Sequence, residues 1–168
     1  MRKFNIPIIL GLLILTISIM LSPDSVQAAG KQQKKIPVLT LKDLSGKPTA
    51  LKNYRGKVVL INIWATWCGP CRHEIPDLVK LRQKYHNQNF EVLGVVLSSG
   101  KSDVQKMVRE FNIDYPVLWG TYQLMEQFGM INAIPRSFVL NKKGEIVEDI
   151  TGSTDYAHFE KMISPYLK

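Results

Sequence analysis

Two apolar stretches dominate the folded part of the chain: Val58-Val59-Leu60-Ile61-Asn62-Ile63-Trp64 and Phe90 to Leu97. Runs of this length and β-branched content, bounded by turn residues, predict strands buried on both faces. Between them the pattern changes period. From Cys71 onward Ile75, Leu78, Val79 and Arg82 follow helical spacing to about His86, which predicts a helix starting at the cysteines. A second helix is expected after Leu97, with Ser102 and Gln105 as a capping box and Val104, Met107, Val108 and Phe111 on its inner face. Pro116 to Trp119 reads as a short strand, and Thr121 to Phe128 as a short helix stopped by Gly129. Ser137 to Leu140 and Glu145 to Thr151 form a hairpin across Asn141-Lys142-Lys143-Gly144. A last helix places Phe159, Met162, Ile163 and Leu167 on one face. Before the first core strand, Val38 to Leu41 and Thr49 to Leu51 make a small entry hairpin turning at Ser45-Gly46. The sum is an α/β domain: a mixed sheet flanked by helices, parallel in its first half and closed by a hairpin.

The first residues stand apart from this pattern. Arg2 and Lys3 precede an almost unbroken apolar run from Ile6 to Leu21, which Pro23 ends. Residues 1–28 therefore read as a targeting segment, with Val26-Gln27-Ala28 supplying the small-residue pattern of a cleavage site. An uncleaved N-terminal membrane anchor is the alternative, and both readings place the domain outside the cytoplasm, periplasmic or on the outer face of the membrane. Residues 29–36 are a polar linker, and one folded domain spans 37–168, as the length of 168 residues allows.

Charge adds little. The net charge is +8, and loss of residues 1–28, which carry Arg2, Lys3 and Asp24, leaves +7. The lysines are scattered outside the Lys31 to Lys35 cluster, and no aromatic-basic interleaving builds a stacking platform, so nucleic acid is not expected as a partner. A basic surface of this kind favours anionic headgroups at most.

The cysteines change the picture. There are only two, Cys68 and Cys71, three positions apart in Trp67-Cys68-Gly69-Pro70-Cys71. In an exported protein such a pair provides no disulfide framework for the fold. At a helix start the spacing puts both side chains on one side of the first turn, close enough for a reversible disulfide. Cys68 lies where unpaired backbone N–H groups and the helix dipole favour a thiolate, which makes it the expected, accessible nucleophile. Cys71, one turn inside and more buried, is the expected resolving thiol. Gly69 and Pro70 set the turn, with Pro70 placed where a missing N–H matters little. A zinc half-site would need further ligands, and His73, His86 and His158 show no paired spacing, so neither a metal nor a cofactor is expected beyond the cysteine pair.

The stretch from Asn62 to Pro76, with its Trp-Cys-Gly-Pro-Cys core, resembles the TlpA/ResA-like branch of the thioredoxin superfamily, over about Pro37 to Lys168. Two distant features agree. Sixty-three residues separate Cys71 from Pro135, room for the extra central strand-helix unit of that branch, and Ala133-Ile134-Pro135 before a strand resembles its cis-proline loop. The resemblance implies a thioredoxin fold with an N-terminal hairpin, and an Ile134 backbone that pairs with a bound peptide. Asn62 stands where cytoplasmic thioredoxins carry a proton-accepting aspartate, and Ser98-Ser99-Gly100-Lys101 holds no carboxylate in its place. The proton of Cys71 is left to water or to Glu74, whose alternative role is to complement the helix start. Arg136 follows the proline, either steadying the thiolate, selecting an acidic partner or simply lying at the surface. Trp67 is expected on an apolar docking surface and Trp64 in the core.

The resemblance implies a thiol:disulfide oxidoreductase, monomeric, acting on disulfides of exported proteins such as apocytochrome c and recharged by a membrane electron donor. A general disulfide oxidase or isomerase, and a copper-binding carrier of the same fold, are the alternatives; Gly-Pro between the cysteines favours reduction.

Overall fold

The two long apolar runs become the two central strands. The computed structural model describes residues 39–168, so the targeting segment, the linker and the domain's start at Pro37 lie outside the described residues. Strand β3 (Val58–Trp64) and strand β4 (Phe90–Val96) pair in parallel, and every residue of both is buried. The sheet has the order β5-β4-β3-β6-β7, with β5 (Val117–Trp119) parallel to β4, and β6 (Arg136–Leu140) and β7 (Ile146–Thr151) antiparallel to their neighbours. It is the mixed sheet expected from the sequence. Ahead of it β1 (Thr40–Lys42) and β2 (Pro48–Ala50) form a separate hairpin. Asp43 organises its turn by accepting hydrogen bonds from the backbone N–H of Ser45 and Lys47, both at 2.9 Å.

Alternation along β3 sorts the core into two layers. Val58, Leu60 and Trp64 face the layer of helices α1 (Gly69–Tyr85), α2 (Lys101–Glu110) and α4 (Tyr156–Ile163). Val59, Ile61 and Ile63 face Leu41, Leu51 and helix α3 (Tyr122–Gln127), through Leu124 and Phe128. Asn62 is the one polar residue of β3 and points with the first set, as period-two geometry requires.

Two element boundaries depart from the sequence pattern. Helix α2 starts at Lys101 with Gly100 as N-cap and no side-chain cap, so the Ser102 capping box does not form. Ser102 already lies inside the first turn, where its hydroxyl is beyond an N-cap position. Helix α4 ends at Ile163 and gives way to a 3₁₀ turn, Ser164–Tyr166. Pro165 has no N–H to extend the α-helical ladder, so Leu167 is not part of the α-helical face. Among the described residues no helix is long and apolar enough to cross a membrane.

Candidate active site

The site is assembled where β3 ends. Cys68 is the N-cap of α1, and Pro70 sits in the first helical positions. Cys68 and Cys71 form a disulfide with 5.3 Å between their Cα atoms. The Cys68 Sγ accepts a hydrogen bond from the Cys71 N–H at 3.2 Å, the contact that would hold a Cys68 thiolate once the bond is reduced. In this oxidised state Cys68 keeps 5% exposure and Cys71 none. Cys71 is the more buried of the two, as expected, but Cys68 is more sheltered than the accessible thiol the sequence suggests, because its sulfur is bonded to Cys71. A Cβ on Gly69 would meet nothing within 4 Å, so the glycine is not demanded by crowding.

Trp67 stands out of the surface at 66% exposure, whereas Trp64 is fully buried. The Trp67 ring is nevertheless held: its Nε1 donates to the Ser98 carbonyl at 2.9 Å. Next to it the Thr66 N–H donates to Ser99 Oγ at 3.0 Å, and Ser99 Oγ donates to the Leu97 carbonyl at 2.9 Å. The loop after β4 therefore fixes the tryptophan, a function of Ser98 and Ser99 that the sequence pattern did not reveal. Trp67 also lines a cleft of about 390 Å³, together with Thr66, Arg72, Asp103, Lys106, Met107 and Glu110.

Behind the cysteines lies a buried polar cluster. Glu74, one helical turn beyond Cys71, is only 1% exposed. Its Oε1 accepts from Asn62 Nδ2 at 2.6 Å and its Oε2 from the Thr154 N–H at 3.2 Å. Asn62 Nδ2 also donates to Ser137 Oγ at 3.0 Å. Burial dominates these donors and pushes the Glu74 carboxyl up to about 7. Glu74 is thus no surface complement to the helix dipole; the face of α1 that carries Ile75 and Leu78 turns it into the core. Asn62, unable to take a proton itself, orients the acid that can.

The peptide bond Ile134–Pro135 is cis. Strand β6 starts opposite Ile63, so this loop lies at the same end of the sheet as the cysteines. The loop after β7 joins the parts: the Gly152 N–H donates to the Pro135 carbonyl at 2.8 Å, and Ser153 Oγ donates to the Pro70 carbonyl at 3.2 Å. Ile134 is half-buried and packs against both core layers. Arg136 does not join the site. Its guanidinium forms two hydrogen bonds to Asp149, at 2.9 and 2.8 Å, and lies over the Phe138 ring at 4.9 Å. With 15% side-chain exposure and its charge taken by Asp149, it is neither a partner for the thiolate nor a free receptor for an acidic client.

Known proteins resemble this chain in sequence and in fold. Residues 31–163 match the family model Redoxin. The thiol-disulfide oxidoreductase ResA of Geobacillus thermodenitrificans is 34% identical over 118 residues, which cover 70% of this chain and 67% of that protein. A thiol:disulfide interchange protein of the thioredoxin family from Chlorobium tepidum superposes with a TM-score of 0.76 at 30% identity, covering 83% of this chain and all of the other. A second Chlorobium tepidum structure, a putative thiol:disulfide interchange protein DsbE, gives 0.74 at 27% identity over 81% and 97% of the two chains. With a cysteine pair at a helix start beside a cis-proline loop, the chain belongs to the Redoxin family, among the ResA-like thiol:disulfide oxidoreductases of thioredoxin fold.

Proposed function

We propose that this oxidoreductase works outside the cytoplasm as a reductant of disulfides in exported proteins, apocytochrome c before haem attachment being the substrate class, and that a membrane electron donor recharges it. The observation that carries the reading is a buried acid one turn behind the resolving cysteine, with a carboxyl near neutrality. Reduction of a client needs Cys71 to lose a proton at the moment it attacks, and the buried Glu74, three residues further along the same helix, supports the reading as the acid that receives it.

In the reduced protein the Cys68 thiolate attacks one sulfur of the client disulfide, and the other client sulfur leaves as a thiolate and takes up a proton. Cys71 then gives its proton to Glu74 and attacks Cys68 Sγ. The bond between Cys68 and the client breaks, the second client sulfur leaves with the electron pair, and the Cys68–Cys71 disulfide remains. Two electrons pass from the pair to the client. Trp67, held rigidly beside Cys68, and the Ile134 backbone provide the docking surface.

A Cys71→Ser variant expressed in cells that make c-type cytochromes is expected to accumulate a mixed disulfide through Cys68 with apocytochrome c. Absence of that adduct, together with a purified disulfide form that oxidises reduced clients faster than the dithiol form reduces oxidised ones, would establish an oxidase instead.

A further inference from the structure

Strands β3 and β4 pair in parallel to their last residues, Trp64 and Val96. The ladder then runs one bond further, the Leu97 N–H donating to the Trp64 carbonyl at 2.9 Å. In a parallel ladder the rung that follows has the Thr66 N–H donating to the Leu97 carbonyl. A hydroxyl stands in that rung instead. The Thr66 N–H donates to Ser99 Oγ at 3.0 Å, and Ser99 Oγ donates to the Leu97 carbonyl at 2.9 Å. One serine thus satisfies both backbone groups of the rung and spreads the two chains apart, one residue before Trp67 and two before Cys68.

The residue between Leu97 and Ser99 is bent to match. Ser98 has a φ of 44°, in the left-handed region that residues other than glycine enter at a cost. Ser98 is itself exposed, and what the turn delivers is its carbonyl, which accepts from Trp67 Nε1 at 2.9 Å. Both residues held by this loop, Thr66 and Trp67, line the cleft beside the cysteines. The other residues of that cleft come from α1 and from α2, the helix that begins directly after the loop at Lys101. A client joined to Cys68 therefore meets an indole whose orientation is already set, and a ring ordered in the free protein loses little further freedom on binding.

We propose that Ser99 is a positioning residue for client docking: its hydroxyl, inserted between Thr66 and Leu97, keeps Trp67 where the Ser98 carbonyl fixes the indole. The inference rests on Trp67 as part of the docking surface. Without the hydroxyl the Thr66 N–H is left unpaired or closes directly onto the Leu97 carbonyl, and in either case the indole loses the geometry of its bond to Ser98. The effect falls on client affinity, because the contacts of the Cys68–Cys71 pair itself are not touched.

The test measures insulin reduction and, by NMR, solvent exchange of the Trp67 indole hydrogen in the full-length protein, with Trp67→Phe assigning the resonance. The variants are Ser99→Ala, the equal-shaped pair Ser99→Thr and Ser99→Val, and Trp67→Ala. Loss of the hydroxyl in the Ala and Val variants is expected to raise KM by about fivefold with kcat within about twofold of wild type, and to speed indole exchange by about tenfold. Ser99→Thr is expected to keep both near wild type. A wild-type KM or wild-type indole exchange in both Ser99→Ala and Ser99→Val, beside a raised KM in Trp67→Ala, would overturn the positioning role and leave Trp67 as a docking residue. So would a Thr variant that behaves like the Ala variant. An unaltered KM in Trp67→Ala would remove both.

Discussion

A carboxyl group at 1% exposure, given two N–H donors and no cation, is easier to keep protonated than ionised. Glu74 therefore binds its proton more tightly in the folded chain than in the unfolded one, with its carboxyl near 7 against an ordinary 4.5. The stabilising effect is complete below the ordinary value and is lost as pH rises through about 7. Denaturant titrations of the oxidised protein should show wild type losing on the order of 3 kcal/mol, relative to Glu74→Gln, between about pH 4.5 and about pH 8. Parallel curves for the two proteins would show that Glu74 ionises freely. Trp67 is the opposite case, exposed but held by one bond to Ser98. Trp67→Ala should change stability by only about 0.5 kcal/mol while weakening client turnover, readable from KM in insulin reduction. The cysteine pair and its place at a helix start were legible because spacing and the onset of helical period fix them locally. The burial of Glu74 was not, since an acid three residues past a cysteine reads alike on either side of a helix until the sheet beneath it is known.

Elements show the same division. Strands β3 and β4 announced themselves by composition, and helix α1 by its period. The ends of α2 and α4 were less legible because capping competes with loop geometry and with Pro165, and neither leaves a hydrophobic trace. Arg136 is the clearest instance: its position after the proline left chemistry and a plain surface role both open, and its carboxylate partner lies on β7, thirteen residues away in sequence. Arg136→Ala should lower stability by about 1 kcal/mol through the lost β6–β7 ion pair, with insulin-reduction kinetics unchanged. Altered kinetics at unaltered stability would return Arg136 to the site. Strand β4 carries a tighter constraint at Gly94, opposite Asn62 in the ladder. A Cβ there would lie 2.9 Å from Trp64 Nε1 and 3.0 Å from Tyr115 Cε2, so Gly94→Ala should cost about 1–3 kcal/mol, measurable by thermal unfolding.

At the scale of the molecule, three segments far apart in sequence meet at one end of the sheet. The start of α1 brings the thiols, the loop before β6 brings the cis-proline, and Gly152 to Thr154 binds to Pro135, Pro70 and Glu74 at once. The family resemblance anticipated the first two; the third has no motif, because backbone N–H groups and a single serine leave no pattern to read. The arrangement implies two thiols of different character, Cys68 at the helix mouth and Cys71 sealed behind it. Brief alkylation of the reduced protein with iodoacetamide at neutral pH, mapped by mass spectrometry, reads that difference directly. Label concentrated on Cys68, with Cys71 protected until the chain is unfolded, is the expected result. Equal labelling, or faster labelling of Cys71, would contradict it.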